Sequence, residues 1–136
     1  MIFSRLSPLL RAMHAYYDAH AKGGLTYAQA RVLAAALACP GATQVELADE
    51  TRIEPPTMKR HLDALERAGL IRRGSVDGDR RKRAVMATPA GEALDLLRLR
   101  DQLEAVSVRG IDPGDLAITA AVLQRMEENL RGGPGK

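Results

Sequence analysis

The chain lacks tryptophan altogether and has one phenylalanine and three tyrosines among its 136 residues. A core without large aromatic rings must be filled by Leu, Ala, Val, Ile and Met, a set that favours helices over a β-sandwich. Cysteine is nearly absent too. The single thiol, Cys39, excludes an internal disulfide framework and a multi-cysteine zinc site. There is no apolar run of about 18 residues, so no membrane span is expected. The opening Met1-Ile2-Phe3-Ser4-Arg5 lacks the basic start and long apolar stretch of a secretory signal, and a cytoplasmic protein is expected. Enzyme signatures are missing as well. No phosphate-cradling glycine loop, no Ser-x-Gly elbow and no paired His/Glu metal motif occurs. His14 and His20 do not share a helical face, and Asp77-Gly78-Asp79 lacks the later ligands of a calcium loop. The expectation is therefore no enzyme, no cofactor and no metal.

What is present is a chain of one-domain size with a local excess of positive charge. Net charge is +3. Residues 52–83 hold ten Lys/Arg against five Asp/Glu, a local +5, and the remainder sums to −2. Such concentration suits phosphate binding. On charge alone, a merely solvated basic face is equally open.

Helix starts are legible. Ser7-Pro8, Thr88-Pro89 and Asp112-Pro113 each place an oxygen acceptor before a proline, the N-cap followed by a residue whose missing N–H costs nothing in the first turn. Thr26-x-x-Gln29 and Thr43-x-x-Glu46 read as capping boxes. Pro55-Pro56 opens a further helix, and Gly69 stops it. These signals predict helices over about 7–21, 27–38, 44–50, 56–68, 89–107 and 113–131, with a frayed tail from Gly132. Leu70-Ile71-Arg72-Arg73 and Arg83-Ala84-Val85-Met86-Ala87 read as strands of a hairpin around a basic, glycine-containing tip at 74–82.

The 44–50 and 56–68 helices, joined by a short turn and succeeded by the hairpin, compose a winged helix-turn-helix. At ~100° per residue, Met58, Leu62 and Leu65 share the core face of the 56–68 helix. Pro56, Arg60, Asp63, Ala64 and Arg67 lie opposite, flanked by Thr57 and Lys59. A helix of this kind fits a DNA major groove. Thr57, Lys59, Arg60, His61 and Arg67 are the candidate contacts, with Arg60 the candidate base reader because a planar fork matches guanine O6 and N7. Arg80, Arg81 and Lys82 at the hairpin tip are the candidate wing contacts to phosphates or the minor groove. The terminal helices add a further requirement. Leu6, Leu10, Met13 and Tyr17 share one face of the first helix, with Leu9 and Tyr16 beside them. Leu116, Leu123, Met126 and Leu130 share one face of the last, with Ile118 and Val122 elsewhere around it. Apolar residues on several faces ask for several packing partners, and a second subunit supplies one, the alternative being an ordinary monomer core with a wide apolar stripe.

With these elements the sequence resembles the MarR family of bacterial winged helix-turn-helix regulators. The resemblance rests on Leu25-Thr26-x-x-Gln29-x-x-Val32-Leu33, Glu46-Leu47-Ala48, and the run from Thr57-Met58-Lys59-Arg60 through Gly69-Leu70-Ile71-x-Arg73. It continues in Asp79-Arg80-Arg81-x-x-x-Val85-x-Ala87-Thr88-x-x-Gly91. Pro55-Pro56 stands where the family usually has a polar helix start. The resemblance implies a mainly α fold with a small β-hairpin wing: residues 25–88 as DNA-binding domain, and residues 1–24 with 89–136 as helical dimerisation region. It further implies a homodimer on a pseudo-palindromic operator of double-stranded DNA, acting as a repressor and released by a small-molecule effector. In such wings the aspartate orients a neighbouring arginine, which assigns that role to Asp79 and the wing-tip contact to Arg81. Arg11, His14, Tyr16 and Tyr17 are the candidate effector-binding residues, against the simpler reading of the tyrosines as packing residues. Two other readings stay open. One is a winged-helix protein-interaction module without DNA binding, against which Lys59 and Arg60 count. The other is a thiol-based redox-sensing regulator using Cys39, against which the lack of a second cysteine counts, a buried or bystander thiol being the simpler reading.

Overall fold

The computed structural model describes the backbone of residues 1–76 and 79–132, and side chains outside 76–82. Along the described chain run α1 (Phe3–His20), α2 (Tyr27–Ala38), α3 (Gln44–Thr51), α4 (Pro55–Arg67), β1 (Ile71–Val76), β2 (Asp79–Ala87), α5 (Pro89–Glu92), α6 (Leu96–Ser107) and α7 (Pro113–Arg131). The fold is mainly helical with a two-stranded antiparallel wing after the helix-turn-helix, as the sequence predicts. By internal packing the chain divides into Met1–Leu103 and Glu104–Lys136.

Both capping boxes form. Thr26 Oγ1 accepts from the Gln29 N–H at 3.1 Å and Gln29 Oε1 accepts from the Thr26 N–H at 3.1 Å. Thr43 and Glu46 exchange the same pair of bonds at 3.2 and 2.8 Å. Asp112 caps α7 through the Asp115 N–H. Gly69 ends α4 in the left-handed region at φ +75°. The Leu70 N–H then reaches the Leu65 carbonyl and the Gly69 N–H the Glu66 carbonyl, which closes the last turn as a Schellman motif.

Three expectations need correction. First, α1 starts at Phe3, so Ser7 is no cap and Pro8 lies inside the helix. A proline in the second turn removes only one intrahelical bond, to the Ser4 carbonyl, and the helix extends upstream past it. Second, the expected 89–107 helix is broken. Asp95 takes φ +56°, between α5 and α6. Aspartate tolerates this conformation better than most residues, so a pattern of apolar spacing alone did not reveal the break. Third, the strands extend further into the tip than expected, and Leu70 precedes β1 instead of opening it. The register runs from Ile71 opposite Ala87 to Ser75 opposite Arg83, then shifts so that Val76 pairs with Asp79. The expected turn at Asp77-Gly78 and the frayed tail beyond Gly132 lie outside the described residues.

The core gathers around α2, whose Val32 and Leu33 are fully buried. Against it pack Leu47 of α3, Met58, Leu62 and Leu65 of α4, Ile71 of β1 and Val85 of β2. The phase expected for α4 is therefore the one observed. The chain at 41–43 also lies along β2. The Gly41 N–H donates to the Val85 carbonyl at 3.1 Å, the Val85 N–H donates to the Ala42 carbonyl at 2.8 Å, and Thr43 bridges Ala84. The residue that caps α3 is thus tied to the wing.

Thr88 joins the wing to α5. Its N–H donates to the Leu70 carbonyl at 3.0 Å, and its hydroxyl donates to the Gly69 carbonyl at 2.6 Å while accepting from the Gly91 N–H at 3.2 Å. This crossing is tight enough to demand glycine three residues on. A Cβ on Gly91 would collide with the Leu70 carbonyl oxygen. Backbone cannot yield as a flexible side chain can, so Gly91→Ala is expected to cost about 1–3 kcal/mol. Thermal denaturation of the variant measures it, and an unchanged midpoint would show that the backbone at 69–70 relaxes freely.

Candidate nucleic-acid interface

The outward side of α4 and the wing form the candidate interface. Pro55 at the first helical position presets φ and needs no N–H partner, so the helix begins at the end of the turn without a side-chain cap. Arg60 and Arg67 are exposed on α4, Thr57 and His61 are half-buried, and the Lys59 side chain is 64% exposed. Arg60 Nη2 donates to Thr57 Oγ1 at 3.2 Å one turn earlier. This bond restrains the guanidinium near the helix start, where a helix lying in a groove meets base edges. Arg72 and Arg83 of the wing strands are exposed as well. The expectations for Arg80, Arg81, Lys82 and Asp79 concern side chains outside the described residues.

Asp63, expected on the outward face beside Arg60, is taken up by two cations. Its Oδ2 accepts from Lys59 Nζ at 3.0 Å and its Oδ1 from Arg73 Nη2 at 2.6 Å. Arg73 is the residue that sequence reasoning missed. Only 10% of its side chain is exposed. Its fork also reaches Glu66 Oε1, at 2.7 Å from Nη2 and 3.1 Å from Nε, and approaches Gln44 Oε1 at 3.5 Å. One guanidinium from β1 thereby joins the start of α3 to the middle of α4. Alternation along the strand could have found it. Side chains two apart share a face, so Arg73 must follow the buried Ile71 inward and must meet carboxylates there. Asp63 and Glu66, three apart on one helix face, are those carboxylates.

A cavity of about 220 Å³ lies within the Met1–Leu103 unit. Tyr16 and Tyr17 of α1 line it, together with Arg31, Cys39, Thr51 and Arg100. Of the four residues expected to meet an effector, Arg11 and His14 do not line it. The His14 ring instead rests 4.4 Å from that of Tyr27, and the Tyr16 ring stacks on His20 at 4.1 Å. The buried Tyr17 hydroxyl donates to the Leu25 carbonyl at 3.1 Å, and burial, with Asp18 nearby, pushes its ionisation upward. Tyr17 therefore packs as well as lines. Cys39 is an exposed free thiol, which excludes the buried placement that the sequence left open. No described helix is long and apolar enough to cross a membrane.

The MarR family model matches residues 23–82, which span α2 to the wing. A solved transcriptional regulator, PA3341, is 31% identical, the match covering 98% of this chain and 100% of that one at a TM-score of 0.76. BpsR of Bordetella bronchiseptica, whose DNA binding is regulated by 6-hydroxynicotinic acid, matches at 22% identity over 95% of each chain, TM-score 0.71. PcaV of Streptomyces coelicolor, solved with its natural ligand, matches at 20% identity over 92% of this chain and 90% of that one, TM-score 0.75. At 22% and 20% identity the last two share the fold.

The Arg73 clamp has a pH signature. Hydrogen bonds from Arg73, and for Asp63 also from Lys59, hold both carboxyls below the usual carboxylate range. Their stabilisation is present above about pH 4, where the unfolded carboxyls are ionised, and is lost as pH falls through the depressed folded values. Glu66→Gln is accordingly expected to be less stable than the parent at about pH 7, with the difference shrinking below about pH 4. Urea titrations at both pH values check this, and a difference independent of pH would assign the loss to packing alone.

Proposed function

Because the chain belongs to the MarR family of transcriptional regulators, we propose that it binds double-stranded DNA sequence-specifically as a homodimer on a pseudo-palindromic operator and represses transcription until a small-molecule effector releases it. The observation that carries this reading is the outward side of α4, where Thr57, Lys59, Arg60 and Arg67 stand beside a basic wing while the apolar side is fully occupied by the core. A protein-docking module would need an acidic or apolar surface there. In this reading residues 25–88 read DNA, residues 1–24 and 89–136 form the dimerisation region, and the protein works in the cytoplasm. His61 flanks the reading face, and Arg80, Arg81 and Lys82 reach phosphates or the minor groove, with Asp79 orienting the arginine.

Apolar surface that each unit leaves uncovered supports the dimer. None of the α7 residues is buried, and Ile118 and Leu130 are 64% and 75% exposed. On α1, Phe3, Leu9 and Leu10 are exposed too. Water contact costs about 25 cal/mol per Å² of such surface, and a second copy presenting the same helices relieves it. Sedimentation at micromolar concentration should give twice the 14.7 kDa chain mass. A species of 14.7 kDa alone would refute the dimer.

The cavity is the natural effector site. Its Tyr16, Tyr17 and two arginines suit a flat, anionic molecule, and BpsR is regulated by a molecule of that chemistry. DNA reading is tested with duplexes selected from a random pool. Arg60→Ala is expected to lose about 1–3 kcal/mol of discrimination between selected and random DNA. Equal weakening on both would reduce Arg60 to a phosphate contact.

A further inference from the structure

A polar contact joins the cavity wall on α2 to the end of α3. Arg31, on α2, lines the cavity, and its Nη2 donates to the Thr51 carbonyl at 2.8 Å. Thr51 lines the cavity too and is the last residue of α3. A carbonyl in a last helical turn has lost its regular partner. Here the residue four positions on is Pro55, which has no N–H to offer. The guanidinium fills that vacancy, and its charge also suits the negative end of the α3 dipole.

The bond sits at a demanding place. The next residue, Arg52, takes the left-handed conformation at φ +60°, uncommon for a side chain of its size. The Arg52 N–H folds back to the Ala48 carbonyl, and the Ile53 N–H reaches the same carbonyl at 3.2 Å. Pro55 then opens α4. The whole turn from the bracing helix to the reading helix therefore spans Arg52–Glu54. What holds the Thr51 carbonyl helps to hold that turn.

Arg31 is exposed and faces a cavity that holds a second cation, Arg100, and one acid, Glu50. We infer that Arg31 is a latch between the cavity and the reading head: a planar aromatic carboxylate bound in the cavity draws the Arg31 guanidinium into a charged pair and takes it from the Thr51 carbonyl, loosening the α3–α4 turn. This inference rests on the reading of the cavity as an effector site. A carboxylate competes effectively because a two-pronged guanidinium–carboxylate pair outweighs one bond to a neutral carbonyl. Coupling then has a physical carrier, since the ligand gains a partner only in the state in which the turn has lost one.

The test uses the full chain, a duplex selected by it from a random pool, and benzoate with benzamide as its neutral analogue. Calorimetry measures ligand binding in the absence of DNA. Benzoate at saturation is expected to weaken DNA binding about tenfold, within the usual range of such couplings, and benzamide far less. Arg31→Gln keeps a polar but shorter side chain and offers no charge to the ligand, so a ligand has no cation to draw from the Thr51 carbonyl. It should bind benzoate more weakly, and at saturation its DNA affinity should change less than about twofold. The full tenfold loss in Arg31→Gln overturns the latch while leaving the effector site standing. Benzoate that does not bind overturns the effector site and the latch with it. Amide exchange in the unaltered protein gives an answer that depends on neither the variant nor the DNA. Exchange at 52–54 should quicken when benzoate is bound, and unchanged exchange there overturns the latch.

Discussion

The joint between the wing and α4 depends on a guanidinium that the fold nearly removes from water. Arg73 cannot shed its charge, so its inward position on β1 is tolerable only with carboxylates beside it. Asp63 and Glu66 supply them from α4, and Gln44 approaches from the start of α3. The consequence is geometric. The wing cannot slide along α4 without uncovering an unpaired charge. That side chain thereby adds a charged tie between the hairpin and α4 to the backbone and core contacts that join them. Asp63 also holds Lys59, so one of the outward cations is held in place by the same group that anchors the wing.

Around that clamp, the other joints are made by short backbone contacts. The Schellman closure at Gly69 turns the chain from α4 into β1, and Thr88 fastens the end of β2 to that same corner. The 41–43 segment, hydrogen-bonded to β2, fixes the entry of α3. α2 lies behind all of them with its buried Val32 and Leu33. The result is a closely joined unit in which α4 turns its polar side outward, because its Met58, Leu62 and Leu65 are already committed to the core. α7 is the opposite case, with none of its residues buried.

At the edge of this unit lies an exposed tie of a different kind. The Thr51 carbonyl ends a helix of eight residues, and its partner comes from an arginine in a cavity wall. Within the turn, Ile53 packs against the core, and apolar packing of that kind changes little when a small charged ligand arrives. A charged hydrogen bond at the cavity surface is different, because a ligand with the right charge can take over one of its partners. That is the physical ground on which the proposed binding in the cavity would reach α4.

The sequence by itself determined whatever was governed by neighbours a few residues apart. The capping boxes at Thr26 and Thr43, the stop at Gly69 and the core face of α4 are all consequences of helical periodicity and local hydrogen bonding. The bounds of α2 and α7 were legible for the same reason, and so was the basic character of the interface. Tertiary structure decided the rest. Ser7-Pro8 carries a cap signal, yet α1 runs through it, because the local signal says nothing about whether the chain before it is free to be helical. Asp95 breaks a periodic run with no glycine or proline to announce it. The partners of Arg73 lie seven, ten and 29 residues away, and the partner of Arg31 lies 20 residues away. Strand alternation marks Arg73 as an inward position but names none of its partners, and nothing local marks Arg31 at all. Only the fold, by bringing distant carboxylates and a proline-orphaned carbonyl to them, separates the cations that hold the protein together from those left on its surface.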